Sequence, residues 1–149
     1  MDKLYPFYIE TKGSVGSIKS KLLERNEILV FFDGRHIVCE NQIQIALYRA
    51  FRSKKENKTI AKQFNIEVLL HLSGTHQIKI ALDLYDLKED SEQIIILQTT
   101  NKQLIENSVS GFPNFTPNQK TIDKLKLMND NDPCKGIISR GARFILDHE

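Results

Sequence analysis

What the chain lacks narrows its class first. No stretch approaches the roughly 18 consecutive apolar residues that a membrane-spanning helix needs. The opening residues, MDKLYPFYIE, set Asp2 and Glu10 around a short apolar run. A secretory leader has a basic start and a longer apolar stretch, so no targeting segment is read and the cytoplasm is expected. Cys39 and Cys134 are the only cysteines. A chain of this size does not need a cross-link to fold, so both are expected as reduced thiols. The four histidines, His36, His71, His76 and His148, are scattered and give a zinc site no short-spaced ligands. Neither a metal nor a cofactor is expected. The net charge is only +2, so any case for nucleic acid must come from local clustering.

What is present is ordinary for a folded chain: 149 residues, 40% hydrophobic and 27% charged. That length suits one domain, 1–149, with one sizeable core. Residues 5–12 read as a strand. Ser14 can cap a helix over 15–25, with Val15, Ile18 and Leu22 on one face. Residues 27–33 form a continuous apolar run, consistent with a strand buried on both faces. Asp33-Gly34 signals a turn, and 36–39 reads as a second short strand. A helix is expected over 41–52 with Ile43, Ala46, Leu47 and Ala50 as its inner stripe, then a polar loop at 53–59.

Residues 60–72 are apolar almost all round, and periodicity alone does not separate helix from strand there. Ser73-Gly74 breaks the run and Thr75 opens a helix over 76–87. Ile94–Leu97 reads as a core strand, 99–106 as a short helix, and 111–117 as a loop. Thr116 and Pro117 begin a further helix, and a last one is expected over 135–147. The expected fold is α/β: a two-layer sandwich in which helices cover a small mixed sheet.

The stretch 60–82, IAKQFNIEVLLHLSGTHQIKIAL, carries the most specific signal. Ile60-Ala61 leads into a segment holding Glu67, Leu69 and Leu70. Ser73-Gly74, His76, Gln77-Ile78 and Ala81 follow, and Ala46 and Ala50 lie upstream. This order resembles the kinase-binding subunit family of the KEOPS complex, the assembly that makes threonylcarbamoyladenosine on tRNA. The resemblance is densest over 40–85 and extends weakly to 135–147. The family usually has Arg where this chain has His76. The resemblance implies a non-catalytic role, a helical 63–72, the KEOPS kinase as protein partner, and tRNA held by its single-stranded 3′ acceptor end. It implies no small-molecule substrate and no membrane.

Catalysis finds little support in the residues. His71, Ser73 and His76 are close in sequence, but no Gly-x-Ser-x-Gly elbow surrounds Ser73 and the trio crosses an expected helix break. A small hydrolase or transferase using His71 or His76 is the rival reading, and a stand-alone RNA-binding module is a third. No catalytic residue is assigned. Glu67, inside an apolar run, must be hydrogen-bonded or paired if buried.

Binding has more support. Arg49, Arg52, Lys54, Lys55, Lys58 and Lys62 stand against the single acid Glu56. Such a cluster can neutralise phosphates and release counterions. With His76 and Gln77 these are the candidate tRNA contacts, and Tyr48 and Phe51 could stack on bases. The kinase-interface candidates come from two helices whose apolar arcs are too wide for one small domain to cover. They are Ile80, Leu84 and Leu87 on the first, and Ile138, Ala142, Ile145 and Leu146 on the last.

Overall fold

A computed structural model of the chain describes residues 3–11, 15–115, 120 and 134–138. The chain divides into two compact units, the first ending at Arg35 and resuming over Tyr85–Asn114, the second formed by His36–Leu84 and residues from Phe115 on.

The first unit is built on a sheet of four strands: β1 (Tyr5–Glu10), β2 (Ile28–Asp33), β3 (Gln93–Gln98) and β4 (Val109–Ser110), in the order β2-β3-β1-β4. Each pairing is antiparallel, so the α/β class holds but the sheet is not mixed. Phe7 stands opposite Ile96 and Ile9 opposite Ile94, which puts these side chains on one face. Helix α1 (Val15–Leu23) lies on that face, packing Val15 and Leu22 with Ile28, Leu87 and Ile105 into one core. The helix and sheet are thus two layers.

A bulge between Ile28 and Val30 sets two β2 residues against one on β3. It lets Ile28 and Phe31 join the α1 core, while Val30 and Phe32 are buried on the opposite face. The apolar run at 27–33 lies at the sheet edge by the strand order, and it is packed on both faces as its composition suggests. β3 and β1 are the interior strands, and in β3 every residue from Ile94 to Gln98 is buried.

Two expected elements of this region are absent. Residues 99–106 are not helical. The Gln98 side-chain amide donates to the carbonyls of Thr100 and Lys102, and Gln103 donates to those of Ile105 and Ser108. Carbonyls held by side chains in this way do not build a helical ladder. Residues 36–39 are not a strand either. The Val38 N–H donates to Gln42 Oε1 at 2.8 Å, so the segment leads into a helix instead of pairing.

The second unit is helical. Helix α2 (Glu40–Lys55) packs against α3 (Phe64–Ser73), and α4 (Ile78–Tyr85) follows. Residues 134–138 are also helical. Of the expected inner stripe, Ile43, Ala46 and Ala50 are buried and Leu47 is only partly so, and the small alanines allow close approach. α2 runs three residues beyond the expected end, because Ser53, Lys54 and Lys55 are compatible with a helix and Ser53 still packs toward His71. It ends at Glu56, followed by Asn57 at φ 57°, a left-handed position asparagine tolerates. The ambiguous run 60–72 resolves as helix from Phe64, and Gly74 closes it at φ 67° with its N–H on the Leu70 carbonyl at 2.8 Å.

The two cysteines are joined: Cys39 and Cys134 form a disulfide with Cα atoms 5.7 Å apart. The expectation of two reduced thiols is thereby corrected. Ninety-five positions separate them, and only the folded chain brings the start of α2 beside 134–138. The helix expected from Thr116 lies outside the described residues except for Lys120, as does the last helix beyond 138.

Candidate partner and nucleic-acid surfaces

The signature stretch organises a buried polar cluster in the second unit. Glu67 follows the start of α3 by three residues, and its side chain turns back over the segment that enters the helix. Its Oε1 accepts from the backbone N–H of Ile60 at 2.9 Å and of Ala61 at 3.0 Å. Its Oε2 lies 3.3 Å from His71 Nε2, one helical turn on, with both side chains 1% exposed. Burial alone would raise the Glu67 pKa, but the hydrogen bonds from His71, Ala61 and Ile60 outweigh it and hold the carboxyl below its ordinary value. Glu67 is thus an acceptor for the chain's own backbone, which leaves no open carboxylate for a partner.

Ser53 Oγ, on α2, lies 3.4 Å from the same His71 nitrogen. Ser, His and Glu are therefore together, but not as a catalytic triad. Triad chemistry uses one imidazole nitrogen toward the nucleophile and the other toward the acid. Here both contacts fall on Nε2, inside the protein. Ser73, which the sequence sets near His71, turns its hydroxyl onto the Leu70 carbonyl at 3.0 Å, and His76 is exposed. The histidine-based rival trio is not assembled.

Sequence reasoning did not single out Ser53 or Gln42. Gln42 is 3% exposed, accepts from Val38 N–H and donates to the Leu72 carbonyl at 3.0 Å. It ties the entry of α2 to the end of α3. The signal that could have found it was a polar residue on the apolar stripe of α2.

The basic residues are mostly outside. Arg52, Lys54, Lys55, Lys58 and Lys62 are all exposed. Arg52 pairs with Glu56 at 3.2 Å, one turn on, and Lys54 Nζ sits 5.5 Å above the Phe64 ring. Cations in the last turn of α2 also complement its dipole. Arg49 departs from the group. It is partly buried, its Nη1 donates to the Ile138 carbonyl at 3.2 Å, and burial lowers its pKa. Phe51 is turned onto Phe64, with ring centroids 4.6 Å apart. Tyr48, 55% exposed, instead shares the outer face of α2 with Arg52 and Lys55. Gln77 and His76 are exposed in the turn before α4, where Gln77 N–H donates to Thr75 Oγ1.

The apolar candidates separate more sharply. On α4, Ala81, Leu84 and Tyr85 form the inner face. Leu84 is 6% exposed, and Leu87 belongs to the α1 core, so neither is open to a partner. Ile80 is exposed, with Ile78 beside it. Ile138 is partly buried and Ile137 is buried. Ala142, Ile145 and Leu146 lie outside the described residues. Among the described residues no helix is long and apolar enough to cross a membrane, and no cluster of three or more His, Cys, Asp or Glu could hold a metal ion.

Comparison with known proteins adds the deciding observation. Residues 12–134 match the family model described as kinase binding protein CGI-121. The chain belongs to this family. A relative from Candida glabrata, named EKC/KEOPS complex subunit CGI121, is 35% identical over 72 residues, covering 48% of this chain and 41% of the relative. One from Schizosaccharomyces pombe, named EKC/KEOPS complex subunit cgi121, is 24% identical over 102 residues, covering 67% and 59%. The matches thus span less than two thirds of either relative's length. Both the family model and these relatives agree with the resemblance carried by the 60–82 signature.

Proposed function

We propose that the protein is a non-catalytic subunit of the KEOPS complex, binding the complex's kinase and helping to recruit tRNA by its 3′ acceptor end for threonylcarbamoyladenosine formation in the cytoplasm. The observation that carries this reading is the family match over residues 12–134. The names of the two relatives support membership of the complex.

The exposed Ile80 and the partly buried Ile138 are the described candidates for the kinase face; Ala142, Ile145 and Leu146 remain candidates outside the described residues. For tRNA, support comes from Arg52, Lys54, Lys55, Lys58 and Lys62 on the surface, with Tyr48 on the outer face of α2. Lysines would meet phosphates, and a tyrosine could stack on an unpaired base. His76 and Gln77 are further candidates. A non-catalytic role fits the burial of His71 against Glu67.

Titrating the purified KEOPS kinase with the protein tests the reading. Binding is expected, and Ile80→Asp is expected to weaken it by about 2 kcal/mol, as for an interface hot spot. Because Ile80 is exposed, the variant should fold. A kinase that does not bind the wild-type protein would reject the reading, and retained RNA binding would then favour the stand-alone RNA module.

A further inference from the structure

The disulfide joins two places that lie 95 positions apart in the chain. Cys39 is the residue before α2, and Cys134 is one of the helical residues 134–138. α2 meets α3 through its inner stripe and through Gln42, which bridges Val38, the neighbour of Cys39, to Leu72. A second tether to 134–138 is the Arg49 bond to the Ile138 carbonyl. Between the two tethers, Ile137 is 2% exposed. Both cysteines are partly exposed, so a small thiol can reach them.

We propose that Cys39–Cys134 is a reversible redox clasp that holds helix 134–138 at the start of α2 and releases it when a dithiol reduces the bond. A reductant thiolate attacks one cysteine sulfur, and the other cysteine leaves as thiolate. The second thiol of the reductant then resolves the mixed disulfide. The net change gives two protein thiols and one reductant disulfide, with two electrons and two protons transferred. Opening removes the covalent tether and leaves only non-covalent contacts, among them the Arg49 hydrogen bond and the burial of Ile137, which the segment must give up to move. Release would expose Ile137 and free the Arg49 guanidinium to join the cations that follow it on α2. In the proposed cytoplasmic location, where dithiols keep ordinary thiols reduced, a disulfide is expected to cycle.

The test, which does not depend on that location, is methyl NMR of isoleucine-labelled full-length protein with a soluble paramagnetic agent. Spectra are taken oxidised, after dithiothreitol, and after re-oxidation, with the Cys39→Ser/Cys134→Ser double variant as a permanently open form. Relaxation of the Ile137 methyl by the agent should rise severalfold on reduction and in the double variant, then return on re-oxidation. The methyl of Ile43, fully buried on α2, should not change. Three results would overturn the clasp: a bond that native-state dithiothreitol leaves intact, an opened bond with Ile137 still shielded, or loss of shielding at Ile43 as well. The last would make the disulfide a staple for the whole unit.

Discussion

Glu67 and Lys58 are nine positions apart, yet their charges stand in opposite environments. Glu67 is sealed inside, with two backbone N–H groups and His71 around its carboxylate. Lys58 and its neighbours Lys54, Lys55 and Lys62 are on the surface. A buried charge keeps its place only while every partner remains, because its desolvation must be offset. An exposed charge costs the fold little and can be neutralised by something outside. One short stretch of chain thus divides its charged residues between holding the fold and facing outward.

The largest effect should follow removal of the buried charge. Glu67→Ala strands two backbone donors and His71, and is expected to lower stability by about 3–5 kcal/mol in urea unfolding. A loss under about 1 kcal/mol would mean that the cluster is not structural. Gly74→Ala comes next. The residue sits at φ 67°, where a Cβ is strained, so about 1–2 kcal/mol should be lost.

A pH series probes the same contrast. The Glu67 pKa is lowered in the folded protein, so its contribution is present above the unfolded value of about 4.3 and is lost as pH falls through the lower folded value. Stability should therefore drop in acid, and Glu67→Gln should flatten that part of the curve. An unchanged acid limb in the variant would assign the drop to other carboxylates. At the small end, replacing Lys54, Lys55 and Lys58 with Ala should move stability by no more than about 0.5 kcal/mol.

Much of this arrangement can be read from the residues. Ile94–Leu97 reads as a core strand because its apolar run is short and β-branched, and Gly74 reads as a helix end because a left-handed turn favours glycine. Glu67 reads as a residue that must be hydrogen-bonded or paired if buried, because a bare carboxylate does not fit an apolar run. Whether its partner is the chain's own backbone or another protein is not in the sequence. The failures share another cause. At Val38 and at 99–106, glutamine side chains bind the backbone groups that pairing or a helix would have used. Which glutamine reaches which carbonyl is a tertiary fact. The Cys39–Cys134 bond is hidden likewise, by its long separation. Leu84 and Leu87 share an apolar pattern with Ile80, but packing decides which of them is exposed.

The most direct test of the division between inner and outer charge is tRNA binding measured across a salt series. Wild-type protein is compared with the Lys54→Ala/Lys55→Ala/Lys58→Ala variant after both give the same unfolding curve. Weaker binding is expected in the variant, with a log–log salt slope flattened by roughly 0.7 for each phosphate that is no longer neutralised, the single-strand value. Wild-type affinity and slope in the triple variant would contradict a role of the outer charges in binding tRNA, leaving these lysines as a solvated surface.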